Sequence, residues 1–405
     1  MKIIFSPCHY IYDEVTGGSE PSWAFNIADR IAKIHPESTV VTGFKNVLKK
    51  KKYKIIETQP NKKSIDLSIK NAMIFNIKNF LITRKLLSKN KFDIFHHVLP
   101  FAINNTFNFN FIFNKENKNL IIGPIQSPLT YRDIDLNLSD IRSSRKGKSL
   151  SKILFDILYF LIHPILKFLS NLTLKKAKAV IVINKYTKNI LIKNGVDSKN
   201  IHIVPPGVDL KKFKYLPFEA KNKEKIELLV ACYLLRRKGV DLIIKSIKKV
   251  VRKNKKIVLR IVGNGPQKEN LENLVKKLSL EDYVVFEGFI ENSKIQQYYK
   301  KAHIFISMSR AESWGQMYLE AMACGLPIIT TKNIGSDAII KNGEFGYLIG
   351  QENTNDLAKK IIYLIENPEY IIAFGERAYQ EVKRKYDWDN CIIPQYLDIH
   401  QKLIK

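Results

Sequence analysis

The chain has 405 residues, 45% of them hydrophobic, which is enough to bury two ordinary domain cores, and no repeat with a period of roughly 20 to 50 residues runs through it. Cys8, Cys232, Cys324 and Cys391 stand singly, which gives neither a paired zinc motif nor a disulfide framework and leads us to expect a reduced, cytoplasmic protein. The formal net charge of +29 admits three readings, namely lysine-rich background composition, attraction to an acidic membrane leaflet, and nucleic-acid binding; no helix-turn-helix, zinc-finger, RRM or KH signature is present, so nucleic acid is not expected as a partner.

The N-terminal MKIIFSPCHY reads as a first buried strand, because its apolar run ends at Pro7 and is too short for the h-region of a signal peptide. Gly17 and Gly18 come next, ahead of a helix containing Trp23, Phe25 and Ile27. A glycine pair at a strand-to-helix junction is either a plain turn or a place where backbone amides approach a diphosphate. Further strands are expected at STVVT, DIFHH, NLIIG and AVIVI. Lys45, Lys49, Lys50, Lys51, Lys52 and Lys54 form the densest basic run. His96 and His97, at the end of the DIFHH strand, either line a cleft or are simply packed or hydrogen bonded, and neither is taken as catalytic. The most apolar segment, Ile153 to Leu169, is interrupted by Asp156, His163, Pro164 and Lys167, so a core or interfacial helix is expected there and not a membrane span.

From Val204 to Lys225 the sequence VPPGVDLKKFKYLPFEAKNKEK is rich in Pro and Lys and marks a domain boundary. Beyond it, strand candidates ELLVA, VLRIVG, YVVFEG, AHIFIS and LPIIT alternate with helical stretches. That alternation, present in both halves, predicts α/β domains with parallel sheets covered on both faces. Lys238 in LLRRKGVDL is either a solvated surface lysine or the cation that neutralises a departing diphosphate. The RIVG strand runs into Gly263, Asn264, Gly265 and Pro266, but Lys268 occupies the third glycine position of a dinucleotide fingerprint, which disfavours an oxidoreductase.

The most informative stretch is SRAESWGQMYLEAMACGLPII, Ser309 to Ile329. A helix is expected from near Gly315 to Gly325, with Pro327 beyond it. The amides of Gly315, Gln316 and Met317 then open the positive end of the helix toward an anion, while Gln316 and Glu320 share a face. Glu312 and Glu320 beside such a site are acceptors for ligand hydroxyls. A ligand with both phosphates and hydroxyls is a sugar nucleotide.

This pattern, a Glu, seven residues, a second Glu, then AMACG and a proline, resembles the donor-site signature of the family 4 glycosyltransferases, and AKAVIVINKYTKNILIKNGVDSKNIHIVPPGVD, Ala177 to Asp209, resembles the family's interdomain junction. The resemblance implies a GT-B fold of two Rossmann-like domains facing across a cleft: an acceptor-binding domain over 1–205, a donor-nucleotide domain over 206–375, and a terminal segment, 376–405, crossing back to the first. It also implies roles, with Glu312 on the donor sugar, Gly315, Gln316 and Met317 offering amides, Glu320 on the ribose and Lys238 on the diphosphate. Gly17 and Gly18 would reach the donor phosphates, and Gly263 and Phe289 would shape the base pocket. The implied reaction retains anomeric configuration without a metal, using the nucleotide-sugar co-substrate and no cofactor, toward a glycan or lipid-linked acceptor in cell-surface polysaccharide or lipopolysaccharide-type biosynthesis. Peripheral contact with the anionic inner face of the membrane is a further expectation.

The sequence departs from the family at several points. Tyr233 stands where an arginine is usual, and Arg236 and Arg237 are both candidates to replace it, Arg237 being placed in the donor set. Ile334 replaces a glycine, Ala338 a glutamate, and Gly123 to Ser127 reads GPIQS where many members carry a histidine. A GT-B sugar-nucleotide epimerase and a non-catalytic basic membrane or nucleic-acid protein are the alternatives.

Overall fold

All ten segments expected to be strands are strands in the structure, a computed structural model that describes residues 1–12, 19–46, 50–58, 69–98, 108–112, 119–127, 164–221 and 224–404. In the first half these are β1 (Ile3–Tyr12), β2 (Thr39–Asn46), β3 (Lys54–Glu57), β4 (Ile94–His97), β5 (Asn119–Ile125), β6 (Ala179–Val182) and β7 (Ile201–Ile203). They make one sheet in the order β3-β2-β1-β4-β5-β6-β7, and every pairing is parallel. β4 and β6 are buried at every position, as strands of a sheet covered on both faces must be. The helices of this half are α1 (Ser19–Ile34), α2 (Ile69–Lys89), α3 (Phe109–Ile112), α4 (164–176) and α5 (Lys185–Lys193).

The second half repeats the plan with β8 (Ile226–Ala231), α6 (Val240–Val251), β9 (Ile257–Val262), α7 (Lys268–Lys277), β10 (Val284–Gly288), α8 (Gln296–Lys301), β11 (Ile304–Ser307), α9 (Gln316–Ala323), β12 (Ile328–Thr331), α10 (Ile334–Ile339), β13 (Gly346–Ile349), α11 (Thr354–Glu366) and α12 (Pro368–Lys385). Its sheet runs β10-β9-β8-β11-β12-β13, again all parallel. α6 shows why these helices form where they do. Val240, Ile243, Ile244, Ile247 and Val250 recur at helical spacing and are buried against Leu228, Leu259 and Ile306, while Lys245 and Lys249 lie on the other side. Sequential strands walk outward from β8 to β10, then the chain returns to start the other half at β11. The crevice at the carboxyl ends of β8 and β11 is therefore the topological switch point, where ligands bind in sheets of this type.

Among the described residues the chain divides into two units, one holding residues up to 127, 164–207 and 388–404, the other running from Val208 to Asp387. The first change falls close to the expected boundary at 205. The terminal segment, however, joins the first unit at Trp388 rather than at residue 376. The reason is packing: Ile371 and Phe374 of α12 belong to the core of the second unit, whereas α13 (Ile393–Ile404) sets His400 against His96 of β4.

Candidate functional site

Two loops leave the switch point of the second unit. One follows β8 and tightens into a single turn at Arg236–Lys238 before α6; the other follows β11 through Ser309–Glu312 into α9. Backbone and side chains lace them together. The Arg310 N–H donates to the Arg237 carbonyl at 2.8 Å, and the Arg237 guanidinium donates to the Ala311 carbonyl at 3.0 Å. Lys238 Nζ then lies 2.5 Å from Glu312 Oε2, with Arg237 Nη1 at 3.9 Å from the same oxygen. Burial on its own would raise the Glu312 carboxyl. The charges of Lys238 and Arg237, the Lys238 hydrogen bond and the Trp314 N–H outweigh it and hold the group below its usual range, so Glu312 is a carboxylate facing two cations.

Arg310 secures this junction from behind, and sequence reasoning passed over it. Its guanidinium forks onto both Asp241 oxygens at 3.1 and 3.2 Å, its Nε reaches Glu352 Oε1 at 2.5 Å, and Nη1 donates to the Arg236 carbonyl. A planar five-donor group is needed for that set of partners.

α9 opens at Gly315 with φ at 87°, a left-handed conformation that L side chains rarely adopt, and a Cβ there would come within 2.4 Å of the Tyr318 ring. The helix closes at Cys324, with Gly325 in the left-handed region and Pro327 beyond, as the sequence predicts. Gln316 and Met317 form its first turn, and Glu320 sits one turn in. Tyr299 of α8 donates its phenol proton to Glu320 Oε2 at 2.8 Å. Burial pushes the Glu320 carboxyl up to about 7, against the opposing effects of that hydrogen bond and the charge of Lys212. A small cavity at this point is lined by Ala231, Cys232, Lys238, Ser307, Ser309 and Met317.

The remaining expected residues fall as follows. Arg237 is the partly buried arginine beside Glu312, whereas Arg236 and Tyr233 are exposed. Gly263 is packed rather than open: a Cβ would lie 1.8 Å from the Cys232 carbonyl oxygen, so this glycine lets the ends of β8 and β9 close up. Phe289 is 76% exposed just past β10. Gly17 and Gly18 lie outside the described residues, as does Lys49. Lys50 and Lys52 are exposed, but Lys51 is not a free charge of the run, since its Nζ pairs with Asp29 at 3.4 Å and lies over the Phe25 ring. Among the described residues no group of three His, Cys, Asp or Glu side chains is placed to hold a metal ion, and no helix is long and apolar enough to cross a membrane.

The chain is similar to known proteins in sequence and in fold. The family model described as Glycosyl transferases group 1 matches residues 211–381, and that described as Glycosyltransferase Family 4 matches residues 154–212. An uncharacterized glycosyltransferase of Methanocaldococcus jannaschii is 30% identical over 244 residues, 59% of this chain and 62% of that protein. The gpi3 subunit of the phosphatidylinositol N-acetylglucosaminyltransferase of Schizosaccharomyces pombe is 26% identical over 227 residues, 56% of this chain and 48% of that one. The chain thus spans less than two thirds of the length of these curated relatives. Among solved structures, Anabaena HepE in complex with UDP has the same fold, with a TM-score of 0.68 at 16% identity over 99% of this chain and 100% of that chain.

Proposed function

We propose that this chain, which belongs to the family 4 glycosyltransferases of GT-B fold, moves a sugar from a nucleotide-sugar donor to a glycan or lipid-linked acceptor. The observation that carries the reading is the convergence of Lys238, Arg237 and Glu312 at the opening of α9, at the switch point of the second unit, with Glu320 one turn into the same helix. Lys238 and Arg237 take the diphosphate, with the N-terminal dipole of α9 beside them. Arg237 supplies the guanidinium that Tyr233 cannot. Glu320 accepts hydrogen bonds from the ribose hydroxyls, and Glu312 accepts them from the donor sugar. Phe289, exposed past β10, offers a face to the base.

The reaction breaks the bond between the anomeric carbon and the donor phosphate oxygen. The acceptor oxygen forms the new bond on the same face, so configuration is retained, and its proton passes to the departing phosphate. Negative charge grows on that diphosphate as the bond breaks, and fixed cations there lower the barrier without reorganising. HepE binds UDP, which supports a nucleoside diphosphate as the leaving group.

A lipid-linked acceptor fits the name of the yeast relative, which acts on phosphatidylinositol. Peripheral attachment to an anionic leaflet would then bring the first unit to its acceptor, through exposed Ile165 and Phe168 of α4 and exposed Lys50 and Lys52. The test of the activity is release of nucleoside diphosphate from a nucleotide sugar. Release that requires an added acceptor supports transfer; conversion of the donor sugar without any acceptor assigns an epimerase instead.

A further inference from the structure

Glu312 and Glu320 look alike in the sequence, yet their surroundings differ in kind. Glu312 faces Lys238 and Arg237. Glu320 is held by a neutral phenol, that of Tyr299, which arrives from a different helix. We infer that Tyr299 is a positioning residue of the donor site, whose phenol aims the Glu320 carboxylate and keeps it ready to accept the ribose hydroxyls. The inference rests on the donor reading given above.

Geometry supports it in three ways. The Tyr299 side chain is fully buried, edge-on to Phe213 at 5.6 Å and stacked on Phe305 at 5.8 Å, so the ring has nowhere to turn and its hydroxyl points one way. Burial and the Glu320 charge hold the phenol well above its ordinary range, so it is the proton donor of the pair throughout the working pH range. The bond goes to Oε2, and Oε1 of the same carboxylate is the second acceptor atom. A hydrogen bond from a neutral donor favours the ionised carboxylate without supplying a counter-charge, which leaves Lys238 and Arg237 to the phosphates.

The groups that bear on this pair are few. Lys212, ahead of β8, acts on Glu320 from a distance, its Nζ being bound to Asn292 at 2.8 Å and lying over the Phe213 ring. Cys324 at the end of α9 faces both Glu320 and Tyr299, and Cys232 faces Tyr299; burial raises both thiols, so neither carries charge near neutrality. Lys221 and Lys300 act on Cys324. None of these replaces the phenol. Without it burial prevails further, and Glu320 takes up its proton at a higher pH.

The experiment is calorimetric titration with UDP, GDP and ADP, carrying the tightest binder through pH 6 to 9 for the parent, Tyr299→Phe, Glu320→Gln and the double variant. In the parent, affinity should fall about tenfold per pH unit below the Glu320 midpoint near neutrality. In Tyr299→Phe the same acid limb should begin about one pH unit higher, giving several-fold weaker binding at pH 7.5 and recovery at pH 9. The diphosphate's own ionisation is common to all four proteins and cancels in the comparison. In Glu320→Gln and the double variant the limb beyond that shared contribution should vanish. Uniform weakening in Tyr299→Phe with an unmoved midpoint would make the residue merely structural and overturn the inference, while the donor reading stood. Failure of all three nucleotides to bind the parent would overturn the donor reading itself. Should Tyr299→Phe not fold, carbon-13 resonances of the Glu320 carboxyl in the parent decide: a midpoint near neutrality that falls when nucleotide is added supports the inference, and an ordinary carboxylate midpoint overturns it.

Discussion

Lys238 Nζ lies 2.5 Å from Glu312 Oε2 across 74 residues of sequence, so the cation that we propose for the diphosphate and the carboxylate that we propose for the sugar satisfy each other. Both side chains are about nine-tenths covered, at 11% and 12% exposure, which makes a missing partner costly. Under the proposed function donor binding would exchange partners, phosphate oxygens taking Lys238 and sugar hydroxyls taking Glu312.

The first prediction comes from that exchange. Lys238→Met and Glu312→Gln should each lower stability by roughly 1 to 3 kcal/mol, and the double variant by less than the sum. Denaturant titration of the four proteins checks it. Strict additivity would show that the pair is not coupled.

Glu312→Gln should also separate binding from chemistry. With Lys238 released, nucleoside diphosphate should bind as tightly as to the parent or more so, whereas turnover should fall by about 10² to 10³. Calorimetry and initial rates on one preparation read both. A parallel loss of diphosphate affinity would place Glu312 on the phosphate instead.

Arg310→Lys tests the junction behind the site. Lysine keeps the charge but cannot hold Asp241, Glu352 and the Arg236 carbonyl together, so the turn carrying Arg237 and Lys238 should loosen. Diphosphate affinity should drop several-fold while the bare nucleoside binds as before. Equal losses for both ligands would contradict this.

Acid should act oppositely on the two units. His96 donates from Nε2 to the Gly123 carbonyl at 3.1 Å and accepts at Nδ1 from His400 at 3.3 Å, and burial lowers His96 to about 4 and His400 well below its usual value. Each folded value lies under the unfolded one, so this stability is complete above about pH 6.5 and is lost as pH falls toward 4. At pH 5 the loss for His96 is on the order of 2 kcal/mol. Glu320 is raised, so its contribution has the opposite sign and favours folding as pH falls below about 7. Hydrogen exchange at pH 7 and pH 5, corrected for intrinsic rates, should show protection falling in β4 and α13 and not in β11. Unchanged protection in β4 would contradict the prediction.

Much of this was legible locally. α9 carries its own start and stop in Gly315, Gly325 and Pro327, and apolar runs such as AVIVI could only be buried strands. β3, β7 and β13 escaped notice for a shared reason: KIIE starts on the last lysine of the basic run, IHI is three residues beside a Pro-rich junction, and GYLI begins on a glycine. Each is a strand because its neighbour supplies a ladder, which no local pattern records. The same limit applies at the site. Lys238 meets Glu312 only because β8 and β11 are adjacent, and strand order is not written in either loop. Arg310 lay inside the motif, but its partners Asp241 and Glu352 are 69 and 42 residues away. Lys51 was one lysine among several until Asp29 was seen against it.

The most direct measurement is thermal stabilisation of the parent and Glu320→Ala by a panel of nucleotide sugars. A ligand that binds only the folded chain stabilises it by about 2.7 kcal/mol at a hundred times its Kd. At least one member of the panel should raise the parent's melting temperature, and the rise should be much reduced in Glu320→Ala at the same concentration. A panel that leaves the parent's melting temperature unmoved, or that stabilises both proteins equally, would contradict a donor site at the opening of α9.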